Sequence, residues 1–213
     1  MLWSFGDRRG RESRTGMVIY PVIMSVSERA AGSRGKHKAA RLSALAREAL
    51  NMSAARAGME LAGIHQDEQG RPLPSEGCWW SVSHKPEYVA AVAARERTGI
   101  DIEEVRPRRE ATFRYVAGED EWALCQEKSW LNLFRYWTAK EAVVKAAGTG
   151  LAGMRACQVV ALPDESTIFL YCDNRLYQVA QLSYDGHLAS VVTNDDEVHW
   201  VTPDARAAPR DTG

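Results

Sequence analysis

The residues of greatest chemical interest lie in Thr98–Glu103, where isoleucine and acidic residues alternate. Successive side chains of a strand point to opposite faces, so Asp101 and Glu103 share one face and Ile100 and Ile102 share the other. Two carboxylates about 6–7 Å apart repel each other by roughly 2.5 kcal/mol at an effective dielectric of 20. On a buried face, this repulsion requires a cation or a proton. A half-buried strand with solvated acids is the simpler interpretation of this stretch alone.

A third carboxylate lies on a predicted helix, where Glu141 and Lys145 are four residues apart and share one face. An exposed ion pair worth roughly 0.2–0.5 kcal/mol is the usual meaning of this spacing. The aromatic and β-branched neighbours leave little of the helix for solvent, so we expect Glu141 to face a cleft and join Asp101 and Glu103 as oxygen ligands. Carboxylates without His or Cys favour a hard cation, Mg²⁺ before Zn²⁺, and bound Mg²⁺ commonly shares substrate phosphates as ligands.

Basic residues are concentrated in two stretches. The first contains Arg29, Arg34, Lys36, His37, Lys38, Arg41 and Arg47. The second contains Arg106, Arg108, Arg109 and Arg114. The first stretch is either a solvated helix face or a site for a multiply phosphorylated ligand. Ser83 and His84 end a predicted strand, where they form an ordinary turn or bind phosphate. Nothing around Ser83 resembles a nucleophile elbow, so we do not expect a serine nucleophile.

Length and composition limit the class of protein. The 213 residues are 45% hydrophobic with a formal net charge of −1, which gives no electrostatic case for nucleic acid or a membrane surface. The apolar run Met17–Met24 is short and interrupted by Pro21, so we expect a cytoplasmic protein without a secretory signal, and Met17 is a candidate start. The cysteines lack metal-site spacing and are expected to be reduced thiols. They are Cys78, Cys125, Cys157 and Cys172.

Hydrophobic patterns predict the secondary structure. A strand is expected at Val18–Val26 and a helix from Lys36 to about Leu61. Strands at Trp79–Ser83, Tyr88–Ala94 and Thr98–Glu103 are predicted to form a small antiparallel sheet. A second helical part is predicted from near Gly118 to Ala147, with Gly148 as its C-terminal stop. The strands expected after it are Gln158–Leu162, Ser166–Cys172, Arg175–Ser183, His187–Thr193 and Val198–Thr202.

A weak internal repeat indicates the arrangement of the halves. Residues 82–84 and 89–92 resemble residues 182–184 and 188–191, and each copy follows a predicted helix. We therefore predict an α+β fold of two similar lobes in a pseudo-twofold arrangement, with the site between them. Chance similarity between short hairpins is the competing explanation. The expected divisions are a flexible extension (1–16), an N-terminal lobe (17–97), a C-terminal lobe with most metal ligands (98–202) and a flexible tail (203–213).

Four motifs occur in an order that resembles one enzyme family. They are Gly70-Arg71-Pro72, Ser81-Val82-Ser83-His84, Gly99-Ile100-Asp101-Ile102-Glu103, and Trp137 to Lys145 followed by Gly148, Gly150 and Leu151. They resemble the Gly-Lys-Pro, Asn-x-Ser-His, Gly-Ile-Asp-Ile-Glu and Trp-x-x-Lys-Glu-Ala-x-x-Lys motifs of 4′-phosphopantetheinyl transferases of the long, two-lobed, surfactin-synthetase-activating type. The resemblance extends from about residue 17 to 200. Arg71, Ser81 and Lys85 depart from the family pattern, which bears on coenzyme geometry more than on the reaction.

The resemblance implies an enzyme of the holo-acyl-carrier-protein synthase type. Such an enzyme moves phosphopantetheine from coenzyme A to a serine of an apo acyl or peptidyl carrier protein, with Mg²⁺, and releases adenosine 3′,5′-bisphosphate. By resemblance, Asp101, Glu103 and Glu141 hold the Mg²⁺, and Glu141 is the base for the serine hydroxyl. Lys145 binds the transferred phosphate. The coenzyme-binding residues implied are Arg41, Arg71, Ser83, His84 and Lys145.

Partners follow from the same resemblance. Carrier proteins are typically acidic, so the segment with Arg106, Arg108, Arg109 and Arg114 is a candidate docking surface. A monomer is expected, because two lobes in one chain form the cleft. Two other functions are compatible with the residues: a non-catalytic module that binds coenzyme A or a carrier protein, and a Mg²⁺ phosphohydrolase acting on nucleotides. The intact acids and Lys145 argue against the first, and release of the bisphosphate without a carrier would support the second.

Overall fold

The computed structural model describes residues 16–26 and 36–203, without the side chains of residues 36–38 and 151–152. Nearly all of the predicted extension and tail lies outside these residues, as do Arg29 and Arg34. The described helices are α1 (Lys36–Arg56), α2 (Ala111–Val116), α3 (Glu119–Trp122), α4 (Trp130–Ala147) and a 3₁₀ helix (Leu151–Ala156). The described strands are β1 (Val18–Ile19), β2 (Val22–Ser25), β3 (Trp79–His84), β4 (Tyr88–Ala94), β5 (Ile100–Glu104), β6 (Gln158–Ala161), β7 (Thr167–Cys172), β8 (Arg175–Tyr184), β9 (His187–Val192) and β10 (Glu197–Val198).

The first sheet packs against α1. Its strands run in the order β2–β4–β3 and are antiparallel. Ala49 and Leu50 of α1 are fully buried against Trp80 and Ala91 of the sheet. The small alanines of β4 allow the helix to lie close to the strand, so this half has its own apolar core.

The second sheet packs against α4. Its strands run in the order β5–β9–β8–β7–β6 and are antiparallel. Leu133 and Val143 of α4 lie in one apolar cluster with Ile168 and Val179 of this sheet. Helices and antiparallel sheets agree with the predicted α+β class, and the pseudo-twofold relation between the halves stays a prediction.

The two sheets meet along β4, β5 and β9. Ala90 and Val92 of β4 lie in one buried cluster with Ile100 and Ile102 of β5 and with Val191 of β9. The predicted small sheet that included β5 is therefore wrong, because β5 pairs with β9 and not with β3 or β4. The local sequence of β5 suits either partner, and only the distant β9 decides between them.

The first strand and first helix are shorter than predicted. The strand expected over 18–26 divides at Pro21, which has no N–H to donate to a sheet, and β1 pairs instead with β10. Helix α1 ends at Arg56 rather than near Leu61. Gly58 follows it with a φ of +65°, a left-handed conformation that glycine adopts readily and that ends the helix.

The helical second part is interrupted rather than continuous from Gly118. Helix α3 is a single short turn, and α4 begins after Ser129, whose Oγ accepts a hydrogen bond from the Asn132 amide at 3.3 Å. The predicted stop at Gly148 is confirmed, with a φ of +71°. Neither α4 nor another described helix is long and apolar enough to cross a membrane.

The state of two cysteines differs from the prediction that all four are reduced thiols. Cys157 and Cys172 are joined by a disulfide and are fully buried, whereas Cys78 and Cys125 are free. The expectation that all four are reduced thiols is therefore wrong. The antiparallel pairing of β6 and β7, with Gln158 opposite Tyr171, brings the two distant cysteines together.

The closest approach between β5 and α4 depends on Gly99. A methyl group at this position would overlap the carbonyl oxygen of Ala142 and would lie 2.8 Å from the amide nitrogen of Ala146. Both obstacles are helix backbone, which a rotamer change does not move. Gly99 thus sets how near the acids of β5 come to the helix that carries Glu141.

Replacing Gly99 by alanine tests this approach. Because the added methyl group must push α4 away from β5, we expect the free energy of unfolding to fall by at least about 1–3 kcal/mol. Urea denaturation measures the change. Gly118→Ala is the matched control, since the nearest atom to its methyl group would be Glu121 Oε2 at 3.9 Å. Equal stabilities of the two variants would contradict the proposed close packing.

Candidate active site

Two of the three acids of β5, Asp101 and Glu103, are buried on the strand face opposite the isoleucines. Asp101 is 4% exposed and Glu103 is 8% exposed, whereas Ile100 and Ile102 lie in the core between the sheets. The interpretation of these acids as solvated is therefore wrong. Buried carboxylates need positive or hydrogen-bonding partners, so the surroundings of each acid decide what this face can do.

Asp101 has two partners on one oxygen. Its Oδ1 accepts a hydrogen bond from Ser83 Oγ at 2.8 Å and forms an ion pair with Lys145 Nζ at 2.8 Å. Lys145 also donates to the carbonyl oxygen of Ile100 at 2.8 Å. Asp101 Oδ2 is buried and has no hydrogen-bond partner among the described residues. One oxygen of this carboxylate thus retains its capacity to bind a cation or a donor.

Glu103 is paired with a lysine that the sequence motifs did not place in the site. Lys85 Nζ lies 2.6 Å from Glu103 Oε1. Lys85 is in the turn between β3 and β4, directly after His84. The sequence feature that could have indicated this role is the position of Lys85 in the turn directly after His84, a candidate phosphate-binding residue. Each of the two buried acids of β5 therefore has its own lysine.

Glu141 completes the group of carboxylates. Burial raises the pKa of Glu141, and Asp101 and Glu103 raise it further, while Lys145 and Lys85 oppose them. The influence of both acids means that all three carboxylates share one electrostatic environment. The roles of Asp101, Glu103 and Glu141 as metal ligands stay predictions.

A hard divalent cation fits this chemistry. The donors are three carboxylates, and Asp101 Oδ2 is a buried oxygen without a partner among the described residues. In the part of the chain that the structure describes, no three His, Cys, Asp or Glu side chains are arranged to hold a metal ion. In the described structure, the ammonium groups of Lys145 and Lys85 neutralise Asp101 and Glu103.

A cavity of about 260 Å³ opens beside Glu141 and Lys145, and the two buried acids of β5 are not among the described residues that line it. Glu141 and Lys145 line it on the side of α4, and Gly70, Arg71 and Ser81 line it on the side of the first half. Acidic and basic groups therefore surround a space at the junction of the two halves. Such a cavity suits a ligand whose negative charges lie at more than one place.

The other predicted site residues are distributed less tightly. Ser83 is buried at Asp101, but His84 is exposed at the end of β3. Arg41 is exposed on α1 and is not among the described residues that line the cavity. The four arginines of the predicted docking surface are exposed, and Arg106 pairs with Glu104 at 3.2 Å. Contacts of these exposed residues with a ligand or partner stay predictions.

Lys140 directly precedes Glu141 in sequence, but its side chain is buried in an ion pair and does not line the cavity. It is 2% exposed, lies 2.6 Å from Glu121 Oε1 and donates to the carbonyl oxygen of Val116 at 2.8 Å. Burial lowers the pKa of Lys140, and Glu121 opposes this effect. Glu121 also accepts hydrogen bonds from the amides of Gly118 and Val159. This ion pair joins α3, α4 and β6.

Comparison with known proteins gives a consistent result. Residues 97–202 match the sequence model of the 4′-phosphopantetheinyl transferase superfamily. The chain is 30% identical over 147 residues to a Haemophilus influenzae protein provisionally described as a 4′-phosphopantetheinyl transferase, covering 64% of this chain and 62% of that protein.

Two further relatives match over shorter stretches. The 4′-phosphopantetheinyl transferase HetI of a Nostoc species is 30% identical, covering 46% of this chain and 47% of HetI. The 4′-phosphopantetheinyl transferase AcpT of Escherichia coli is 37% identical, covering 41% of this chain and 50% of AcpT. The chain thus spans about half to 62% of the length of these curated relatives.

A lysine substitution tests the role of Lys140. Lys140→Met leaves the partly buried Glu121 without its cation, so we expect the free energy of unfolding to fall, by up to about 3–5 kcal/mol. Adding Glu121→Gln removes the unpaired charge and should restore part of the loss in urea denaturation. Lys128→Met is the control, because Lys128 forms an exposed pair with Glu119 at 2.7 Å. A loss no greater than that of the control would refute the structural role.

The raised pKa of Glu141 predicts a pH-dependent stability. The folded chain binds the Glu141 proton more tightly than the unfolded chain, so ionised Glu141 lowers the free energy of unfolding at neutral pH. Glu141→Gln should therefore be more stable than the wild type at pH 8. The advantage should shrink as the pH falls through the raised pKa towards the usual value of 4.5.

Urea denaturation in chelator between about pH 5 and pH 8 measures this difference without a bound metal. Glu119→Gln is a control, since the Glu119 side chain is 82% exposed. A stability advantage of Glu141→Gln that stays constant with pH would contradict the electrostatic interpretation.

Proposed function

Because this chain belongs to the 4′-phosphopantetheinyl transferase superfamily, we propose that it transfers 4′-phosphopantetheine from coenzyme A to a serine of an apo acyl or peptidyl carrier protein. The other product is adenosine 3′,5′-bisphosphate. The observation that carries the proposal is the group formed by Asp101, Glu103, Glu141 and Lys145 beside a cavity of about 260 Å³.

Asp101, Glu103 and Glu141 are the residues that would hold Mg²⁺. When bound, the ion neutralises charge on the pyrophosphate and polarises it for attack. Asp101 Oδ2, which has no hydrogen-bond partner among the described residues, supports this assignment, as does the influence of Asp101 and Glu103 on Glu141. Lys85 neutralises Glu103 in the described structure.

The reaction exchanges one bond to phosphorus for another. The serine oxygen of the carrier bonds to the phosphorus that bears the pantetheine arm, and the bond from that phosphorus to the bridging pyrophosphate oxygen breaks. The serine proton passes to Glu141, directly or through one water. A carboxylate with a raised pKa is a better base near neutral pH than an ordinary glutamate, which supports this role.

Lys145 is proposed to bind the phosphate that is transferred. It lies one helical turn after Glu141, lines the cavity and is held by Asp101 and the Ile100 carbonyl group. These contacts position the ammonium group before a ligand arrives, and preorganised charge is the main means by which proteins assist phosphoryl transfer.

The rest of coenzyme A is assigned to the first half of the chain. Arg71 lines the cavity opposite α4 and is proposed to bind a second phosphate group. Ser83 and His84 are proposed to contact the pyrophosphate or the 3′-phosphate, and Arg41 to contact the 3′-phosphate. Arginine at position 71 can present two parallel N–H donors to a phosphate, which lysine cannot.

The partner and assembly are proposed from the same assignment. An acidic carrier protein would dock on the exposed surface formed by Arg106, Arg108, Arg109 and Arg114. These residues follow β5, so a carrier bound there could reach the carboxylate group. We also propose that the protein is a cytoplasmic monomer. We further propose that its two lobes have a pseudo-twofold arrangement, and the similar β3–β4 and β8–β9 hairpins support this arrangement.

Mass spectrometry of apo carrier proteins tests the proposed function. Incubation with coenzyme A, Mg²⁺ and the wild-type protein should add the mass of phosphopantetheine to a carrier. Asp101→Asn and Glu141→Gln should each lower the rate by at least about 10²-fold, because each removes a charge at the reacting phosphate. Glu119→Gln is the matched control on an exposed acid, and its rate should equal that of the wild type.

The other outcomes separate the competing functions. Binding of coenzyme A without transfer to any tested carrier would indicate a non-catalytic module. Release of adenosine 3′,5′-bisphosphate without a carrier would indicate a phosphohydrolase. Wild-type rates in Glu141→Gln would leave the reaction class intact but remove Glu141 as the base.

A further inference from the structure

Arg71 is held by three separate acceptors. Its Nε donates to Asp67 Oδ2 at 2.6 Å, its Nη2 to Gln69 Oε1 at 2.9 Å, and its Nη1 to the carbonyl oxygen of Gly148 at 3.1 Å. A guanidinium group has five N–H donors. Three of them have these acceptors, so the group is fixed in orientation while two donors stay available for a ligand in the cavity that Arg71 lines.

The two oxygens of Asp67 have different partners. Oδ1 accepts hydrogen bonds from the backbone amides of Gln69 at 2.9 Å and Arg71 at 2.8 Å, which shapes the turn. Oδ2 accepts a hydrogen bond from the Arg71 side chain. The Arg71 amide is the largest influence that lowers the pKa of Asp67, so the group is a carboxylate at neutral pH.

The contact with Gly148 connects the two walls of the cavity. Gly148 ends α4, the helix that carries Glu141 and Lys145, and it is 77 residues from Arg71 in sequence. An exposed arginine ordinarily samples many rotamers, and each ordered long side chain costs roughly 0.5–1.5 kcal/mol on binding. A guanidinium that is already held between Asp67 and Gly148 avoids most of that loss.

We infer that Asp67 is a positioning residue that aims Arg71 at a phosphate group of coenzyme A, and that it sets selectivity for the form carrying the 3′-phosphate. The inference rests on the proposed function and adds to it a residue outside the four sequence motifs. Arg71 lines the wall of the cavity opposite Lys145, which is assigned to the phosphate that is transferred, so we assign Arg71 to the ribose 3′-phosphate together with Arg41. Asp67 acts through Arg71 and touches no reacting atom.

Asp67→Asn separates this role from that of a turn residue. The asparagine oxygen replaces Oδ1 and keeps both backbone hydrogen bonds, because those donors require an acceptor. The amide nitrogen then replaces Oδ2 and points a donor at the Nε–H of Arg71, which turns an attraction into a repulsion. The variant should therefore keep the turn and lose the orientation of the guanidinium group.

The expected result is a change in affinity and selectivity without a change in chemistry. We expect the KM for coenzyme A to rise about tenfold and kcat to stay within about twofold of the wild type. The preference in kcat/KM for coenzyme A over dephospho-coenzyme A should fall by about the same factor, because dephospho-coenzyme A lacks the phosphate that Arg71 would bind. Arg71→Met, which removes the positive charge, should show the same loss of preference.

Asp164→Asn is the matched control. Like Asp67 Oδ1, Asp164 Oδ1 accepts a hydrogen bond from the backbone amide two residues ahead, that of Ser166, at 2.7 Å. Asp164 lies in the β6–β7 turn and does not line the cavity. Its kinetic constants should equal those of the wild type. An unchanged preference in Asp67→Asn, or equal losses with both coenzymes, would overturn the inference while the proposed function stands. Absence of transfer by the wild type would overturn both.

Discussion

The burial of two like charges on one face of β5 is the constraint on which the site depends. Asp101 and Glu103 cannot both be ionised in a dry environment without nearby positive charge. Lys145 and Lys85 supply that charge from opposite sides, one from α4 and one from the β3–β4 turn. The Lys85–Glu103 pair therefore also connects the two halves of the chain, whereas the Lys145–Asp101 pair joins α4 to β5 within the second half.

The geometry of α4 separates support from chemistry along one helix. Lys140 faces inward to Glu121 and holds α4 against α3 and β6, whereas Glu141 and Lys145 face the cavity. Gly99 allows β5 to approach this helix closely enough for Lys145 to reach Asp101. Lys140 and Glu141 are adjacent in sequence, but they lie on different faces of α4 and have different partners.

Local sequence accounts for much of this arrangement and fails where distant contacts decide. The alternation in Thr98–Glu103 was sufficient to predict that Asp101 and Glu103 share one face of β5 and the isoleucines the other. The roles of these acids, Glu141 and Lys145 in a site stay predictions. The partner strand of β5 is decided by a pairing with β9, which is far away in sequence. The Cys157–Cys172 disulfide depends on the register between the neighbouring strands β6 and β7. No period or motif within one segment carries that information.

Lys85 and Asp67 were missed for a different physical reason. Each lies in a turn, where a charged residue is ordinarily solvated, and its role depends on a side chain that reaches it from elsewhere. Lys85 meets Glu103 across the junction, and Asp67 meets Arg71, which in turn contacts Gly148 at the end of α4. The cavity is thereby bounded by turns of the first half that are electrostatically tied to the second half. A ligand with several phosphates would bind to groups that these contacts have already oriented, so its charge contributes to binding with little further ordering of the protein.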